Sequence, residues 1–162
     1  MNSFYSDTNT LSVHVFGAAK LLVANARNEV IVVDEAHRVP SYIRDDINWM
    51  VHGPQALALL AQWGPLPPCV IDTQIAAIVV DGACHLKHRS YYEFTETLRR
   101  ELNVQVQPST LGLDIETEQA KRWVIGVAKH HWHLWSVLRQ RACDTNLFDV
   151  LKLETHLLPI MA

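Results

Sequence analysis

The sequence predicts an α/β fold built on a mixed sheet. Three short runs rich in β-branched residues come first, at 11–16, 20–25 and 29–33, and their connections are short enough for an antiparallel meander. After residue 48, short apolar runs alternate with segments of helical spacing, which favours parallel strands joined by helices. A single sheet that combines both arrangements is mixed.

Length and composition limit the class of protein. The 162 residues fit one domain, so we expect 1–162 to fold as a unit. With 49% hydrophobic residues, 19% charged residues and a net charge of −3, the chain is an ordinary globular one without chain-wide attraction to nucleic acid. Its three cysteines are far apart and odd in number, which predicts a reduced, cytoplasmic protein. No apolar run approaches the ~18 residues of a membrane span, so we expect no membrane partner.

The second half of the chain carries clear signals for helix starts and stops. Pro54 opens a helix that Gly64 ends, and Asp72 or Thr73 caps the helix that follows the run "CVI". Pro159 is expected to break the last helix near its end. The predicted elements are a short helix at 41–47, a strand at 48–53, a strand and helix at 69–80, and helices at 90–104, 117–142 and 145–162.

Three local motifs suggest chemistry that their surroundings do not support. "VVDEAH" (32–37) matches a helicase acidic box, but the chain has no phosphate-binding GxxxxGK[ST] loop. In "KHHWH" (129–133), His130 and His133 could share a helix face, yet a zinc site needs three or four ligands, so we predict no metal site. "GLDIETE" (112–118) precedes a long helix, which favours capping by Thr117 over a pair of metal ligands.

Four segments in order support a resemblance to a known family. They are "HGPQAL" (52–57), "LPPCVIDTQIAA" (66–77), "SYYEFTETLRRELNV" (90–104) and "IETEQAKRWVIGV" (115–127). Their order and spacing resemble the 3′–5′ exonuclease domain of family A DNA polymerases and the related ribonuclease D group. The resemblance implies a ribonuclease H-like three-layer fold, with His52 at the end of a central strand.

The same resemblance shows what the sequence lacks. Enzymes of this family cut nucleic acid with two metal ions held by four carboxylates. Here the implied second motif has Gly53 and Leu57 and the third has Trp123 and Val127, while the first offers only Asp7, with Asn9 in place of a glutamate. We therefore expect no catalytic residue and no cofactor. Mg²⁺ or Mn²⁺ would bind only if the chain is an active enzyme with ligands at other positions. The acidic candidates for such ligands are Asp34, Glu35, Asp72 and Asp114.

The resemblance leaves three functions open. The first is an inactive exonuclease-like domain that supports a DNA polymerase, as a subunit or an excised piece, and contacts DNA. The second is a stand-alone module that binds single-stranded nucleic acid, and the third is an active metal-dependent exonuclease. For contact with nucleic acid we expect basic side chains interleaved with tryptophans. They are Lys87, Arg89, Arg99, Arg100, Lys121, Arg122, Lys129, His130 and His133, with Trp132 between them, whereas Trp123 and Trp135 are expected in the core.

The last helix has a broader apolar surface than one side of a layered domain can cover. Leu157, Leu158 and Ile160 lie near its end. We expect this surface to be an interface, either with a polymerase-like partner or with a second copy in a homodimer.

Overall fold

The computed structural model describes residues 9–16, 20–33, 47–107 and 117–161, without the side chains at 63, 89 and 161. Its sheet has five strands: β1 Thr10–Phe16, β2 Lys20–Ala24, β3 Val30–Val33, β4 Asn48–Val51 and β5 Val70–Asp72. The spatial order is β3-β2-β1-β4-β5. The first three strands form the predicted antiparallel meander, and β4 and β5 add to it in parallel. The predicted mixed sheet is therefore confirmed.

The described residues form five α-helices around the sheet: α1 Pro54–Trp63, α2 Thr73–Val80, α3 Phe94–Leu102, α4 Glu118–Asp144 and α5 Phe148–Met161. The helix predicted over 90–104 differs, because Glu93 is extended and separates a 3-10 turn, Arg89–Tyr92, from α3. The predicted break at Pro159 is wrong, since α5 continues to Met161. A proline this close to the end of a helix removes only a bond of the last turn. The predicted helix at 41–47 lies outside the described residues.

Successive side chains of a strand point to opposite faces of the sheet, and here both faces carry apolar side chains. On one face, Val13 and Trp49 pack with Leu57 and Leu60 of α1. On the other face, helices α2 to α4 cover the sheet, and Met50 and Ile71 pack with Leu134 and Leu138 of α4 among other residues. Helices on both sides of a mixed sheet complete the predicted three-layer α/β fold.

On the face covered by α2 to α4, an ion network stabilises the packing of the helices in addition to apolar contacts. Arg100 of α3 bonds to Glu101 and to the Tyr91 carbonyl, and its guanidinium lies 4.0 Å from the centre of the Tyr91 ring. Arg141 of α4 reaches Glu101 at 2.7 Å and Asp81, just after α2, at 3.1 Å. The network therefore ties three helices together. None of the described helices is long and apolar enough to cross a membrane.

Candidate functional site

A cleft opens where β4 ends beside β1. The two strands pair only as far as Ser12 and Met50, so among the described residues β1 has no strand partner on that side from Val13 to Phe16. A cavity of about 200 Å³ lies there. It is lined by Val13, His14, Val15, His52, Gln55, Ala56, Phe94, Thr95, Val106, Gln107 and Trp123. The described lining residues are aromatic, apolar or neutral-polar, and none of them is an aspartate or glutamate.

Two positions where the sequence resemblance implies metal ligands are buried and apolar. Leu57 is 4% exposed and belongs to the core beneath α1, and Val127 is 3% exposed on the sheet-facing side of α4. Trp123 is half-buried, lines the cleft and donates its Nε1 hydrogen to the Gln107 carbonyl at 3.2 Å. It is less deeply buried than the core position expected from the sequence, whereas Trp135 is in the core as predicted.

Gly53 and Asp72 act together at the starts of two helices. Gly53 caps α1 with a φ of +82°, and its N–H donates to Asp72 Oδ1 at 3.0 Å. The same oxygen accepts from the N–H groups of Gln74 and Ile75. Burial raises the pKa of Asp72, and these three bonds act against that rise. Asp72 is therefore the predicted N-cap of α2, and its carboxylate is already engaged.

Of the remaining candidates for ligand positions, Asn9 alone lies among the described residues. Asn9 is exposed just before β1. Asp7, Asp34, Glu35 and Asp114 lie outside the described residues. Within the described ranges, no group of three or more His, Cys, Asp or Glu side chains is placed to hold a metal ion.

Behind the cleft lies a buried polar network that the sequence analysis did not find. Its histidines, His14 of β1, His52 after β4 and His131 of α4, are connected through the hydroxyls of Ser12 and Thr73. Ser12 Oγ lies 2.7 Å from His14 Nε2 and 2.9 Å from His131 Nδ1. Thr73 Oγ1 lies 2.8 Å from His131 Nε2 and 2.9 Å from His52 Nδ1. The network ends where His52 Nε2 meets the Tyr92 carbonyl at 2.8 Å.

The environment of these histidines keeps them neutral. Burial, together with the nearby His52, lowers the pKa of His14 to about 3. Burial also lowers the pKa of His52 to about 4, against the opposing effect of its bond to Tyr92. The pKa of His131 falls well below its ordinary value, because the ring is fully buried and the two other histidines are close. Phe94 packs against all three rings at centroid distances of 5.0 to 5.7 Å.

Two sequence signals could have located this network. Ser12 and His14 are two residues apart and therefore lie on the same face of β1. His52 lies at the predicted end of the strand that becomes β4, the neighbour of β1. His131 shares the spacing of the buried stripe of α4 with Val124, Val127 and Leu138. The sequence pattern instead pairs His130 with His133. His131, on the opposite side of the helix, is the buried one.

The predicted basic contacts do not gather in the cleft. Arg122, Lys129 and His133 are exposed at i, i+7 and i+11 of α4, on the face opposite His131. Lys121 is half-buried and bonds to Glu118, and His130 is half-buried. Arg99 bonds Glu96 on the surface, and Arg100 belongs to the ion network instead of a free surface. Lys87 is exposed after α2, whereas the side chain of Arg89 lies outside the described part.

The donors around the cleft do not fit the two metal ions that the fold family implies. Mg²⁺ and Mn²⁺ prefer anionic and carbonyl oxygens. The described cleft offers imidazoles, hydroxyls and amides, and the two ligand positions implied by the sequence resemblance hold the apolar Leu57 and Val127.

The predicted interface on α5 is only partly exposed. Ile160 is 80% exposed, Leu157 is half-buried, and Leu158 packs instead against the core on the α1 side of the sheet. Val150 and Leu153 are also exposed. With Leu157 and Ile160 they follow a spacing of three and four residues along one side of the helix.

No family model matches the chain, and no curated protein sequence is significantly similar to it. Solved structures do match its fold. Brucella melitensis NrnC bound to pGG has a TM-score of 0.72 at 16% identity, over 98% of this chain and 84% of that one. NrnC with bound Mg²⁺ has a TM-score of 0.68 at 17% identity, over 98% and 85%.

A third similar structure is Escherichia coli RNase D, an exoribonuclease involved in structured RNA processing. Its TM-score is 0.67 at 12% identity, and the match covers 94% of this chain but only 44% of RNase D. These neighbours are 3′–5′ exonucleases of the type that uses four acidic metal ligands. The chain therefore has an exonuclease-like, ribonuclease H-like α/β fold, with a mixed five-stranded sheet flanked by helices.

Proposed function

We propose that this chain is an exonuclease-like domain that binds a single-stranded nucleic acid or short nucleotide in the β1 cleft without cutting it. The observation that carries the proposal is the pairing of this fold with the composition of the cleft. Phe94 and Trp123 offer aromatic surfaces, Gln55 and Gln107 offer amides, and none of the described residues that line the cavity carries a carboxylate. Stacking on an aromatic side chain contributes about 1–3 kcal/mol per base. Binding of this kind needs no metal ion.

The basic stripe of α4 supports a second, weaker contribution. Arg122 and Lys129 face solvent on the side of α4 away from the sheet. A strand leaving the cleft could contact them through its phosphates, an attraction that salt weakens. The DNA polymerase partner expected from the sequence remains a prediction, and retention of this protein on an immobilised family A polymerase would test it.

The test is a binding assay followed by a cleavage assay. Fluorescence anisotropy in EDTA should show binding of a labelled single-stranded oligonucleotide and its competition by pGG, the ligand in the NrnC structure. Trp123→Ala should weaken binding by tenfold or more, while Lys129→Ala should mainly reduce its salt dependence. Absence of binding in EDTA would contradict the proposal. Degradation of a 3′-labelled strand that requires Mg²⁺ or Mn²⁺ would instead favour the active exonuclease.

A further inference from the structure

The hydrogen-bond network behind the cleft has a fixed direction. Its inner end is the carbonyl oxygen of Tyr92, which only accepts hydrogen bonds and also accepts one from Gln74 Nε2 at 3.0 Å. His52 Nε2 must therefore carry the proton. Because neutral imidazole has one N–H, His52 Nδ1 is a bare lone pair that accepts from the Thr73 hydroxyl.

The donor and acceptor of each further hydrogen bond follow from the one before it. Thr73 has a single hydroxyl hydrogen. Thr73 Oγ1 lies 3.2 Å from the Val51 carbonyl oxygen, to which it could donate this hydrogen. In that case, however, the lone pairs of Thr73 Oγ1 and His52 Nδ1 would face each other at 2.9 Å. With that hydrogen given to His52, Thr73 accepts from His131, so His131 Nε2 carries the proton.

The last two links follow the same rule. His131 Nδ1 is bare and accepts the hydroxyl hydrogen of Ser12. Ser12 then has only lone pairs for His14, so His14 Nε2 donates to it. Every histidine in the network is protonated on Nε2, and Nδ1 of His14 is left as an acceptor.

This acceptor is available to a ligand. His14 lines the cleft, and the structure gives its Nδ1 no hydrogen-bond partner within the described residues. The rings of Phe94 and Trp123 flank His14 at centroid distances of 5.7 and 6.2 Å. A flat ligand between these side chains would meet the acceptor at its edge.

We propose that Nδ1 of His14 is a specificity-determining acceptor that receives a neutral O–H or N–H donor of a bound nucleotide and disfavours a phosphate oxygen at that point. This proposal rests on the proposed function for the identity of the ligand. Its physical basis is the backbone carbonyl of Tyr92, whose fixed polarity is passed to the cleft through Thr73 and Ser12. A sugar hydroxyl and a base amino group share the required donor chemistry. A phosphate oxygen would meet the lone pair of His14 with another lone pair.

The first experiment needs no ligand. Long-range ¹H–¹⁵N NMR spectra of the histidine side chains at pH 7 should show His14, His52 and His131 neutral and protonated on Nε2. A Thr73→Ser variant keeps the hydroxyl and should preserve these tautomers, whereas Thr73→Val should change the state of His131 or His52. A His14 ring protonated on Nδ1 would overturn the inference while leaving nucleotide binding itself open to its own assay.

The second experiment identifies the donor. Competition by pGG should be compared with dinucleotides that lack the terminal 3′-hydroxyl, lack the 2′-hydroxyls, or carry inosine in place of guanosine. We expect one of these changes to weaken binding to the wild type about three- to tenfold, as for the loss of one hydrogen bond. His14→Phe keeps an aromatic ring and should bind the intact and altered ligands equally. Equal binding of all four ligands by the wild type would overturn the proposal, and failure of pGG and the oligonucleotide to bind at all would overturn the proposed function with it.

Discussion

The hydroxyl of Ser12 lies 2.9 Å from Nδ1 of His131, although 119 positions separate these residues in the chain. Both side chains are fully buried. This bond joins the first strand of the sheet to its longest helix and continues to His14 on one side and Thr73 on the other. The interior beside the cleft therefore depends on imidazoles that remain neutral.

Acid should destabilise the protein through these imidazoles. Their pKa values in the fold, about 3 for His14, about 4 for His52 and well below the usual value for His131, are under the ~6.5 of an unfolded chain. As pH falls below about 6.5, the unfolded chain binds protons that the folded protein does not, so stability falls until the folded pKa values are reached. Each histidine should lower the free energy of unfolding by about 2 kcal/mol between pH 7 and pH 5. The raised pKa of Asp72 acts in the opposite direction.

Urea denaturation at pH 7 and pH 5 measures this effect. His131→Gln should lower stability at pH 7 and reduce its further loss at pH 5, because one proton uptake site has gone. His133→Gln, exposed on the same helix, should leave the pH dependence unchanged. Equal wild-type stability at the two pH values would show that the three histidines are not held neutral.

Neighbouring arginines on α3 should differ sharply when each is replaced. Arg100→Ala leaves Glu101 and Asp81 with only Arg141 and removes the ring contact with Tyr91, so we expect a loss of about 2 kcal/mol or more in the free energy of unfolding. Arg99→Ala breaks only a solvent-screened surface pair with Glu96, so we expect little change in stability. Denaturant titration of the two variants provides a matched comparison. Equal losses in the free energy of unfolding would mean that the Arg100 network stabilises the fold no more than the surface pair does.

Gly53 should not tolerate a side chain. Its φ of +82° is unfavourable for other residues, and an added Cβ would lie 3.1 Å from the Gln74 side-chain oxygen. Gly53→Ala should therefore cost about 1–3 kcal/mol. Gly126→Ala is the control, because its Cβ would meet nothing within 4 Å in the middle of α4, and it should raise stability by up to about 1 kcal/mol. Thermal unfolding distinguishes the two, and a neutral Gly53→Ala would contradict the strained cap.

The exposed stripe of α5 is still predicted to associate with another protein surface, with Val150 and Leu153 beside the predicted Leu157 and Ile160 but without the predicted Leu158. Leu153 is 57% exposed and Ile160 is 80% exposed, while Leu158 packs against the core. We expect the wild type to exceed the monomer mass in light scattering at high concentration. Leu153→Asp should abolish this without loss of stability, and Leu158→Asp should instead destabilise the fold. A monomeric wild type would remove the support for a homodimer.

The sequence by itself determined the local elements and their order. β-branched runs marked the meander, Pro54 and Gly64 marked the ends of α1, and Thr117 marked the start of α4 through its bond to Ala120 N–H. These signals are local, since helix caps, turns and alternation act over a few residues. The order of segments after residue 49 also predicted the exonuclease-like fold, and the resemblance to the ribonuclease D group is confirmed at the level of that fold.

Only the tertiary structure decided which polar residues meet. His14, His52 and His131 are ordinary in the sequence, and they become one network because β1 and β4 run in parallel while α4 crosses the same face of the sheet. The same packing places the partly buried Leu158 against the core and Arg100 in an ion network. A hydrogen bond in a core forms only where a donor atom and an acceptor atom come within about 3 Å of each other, and which atoms do so depends on the packing of the whole fold.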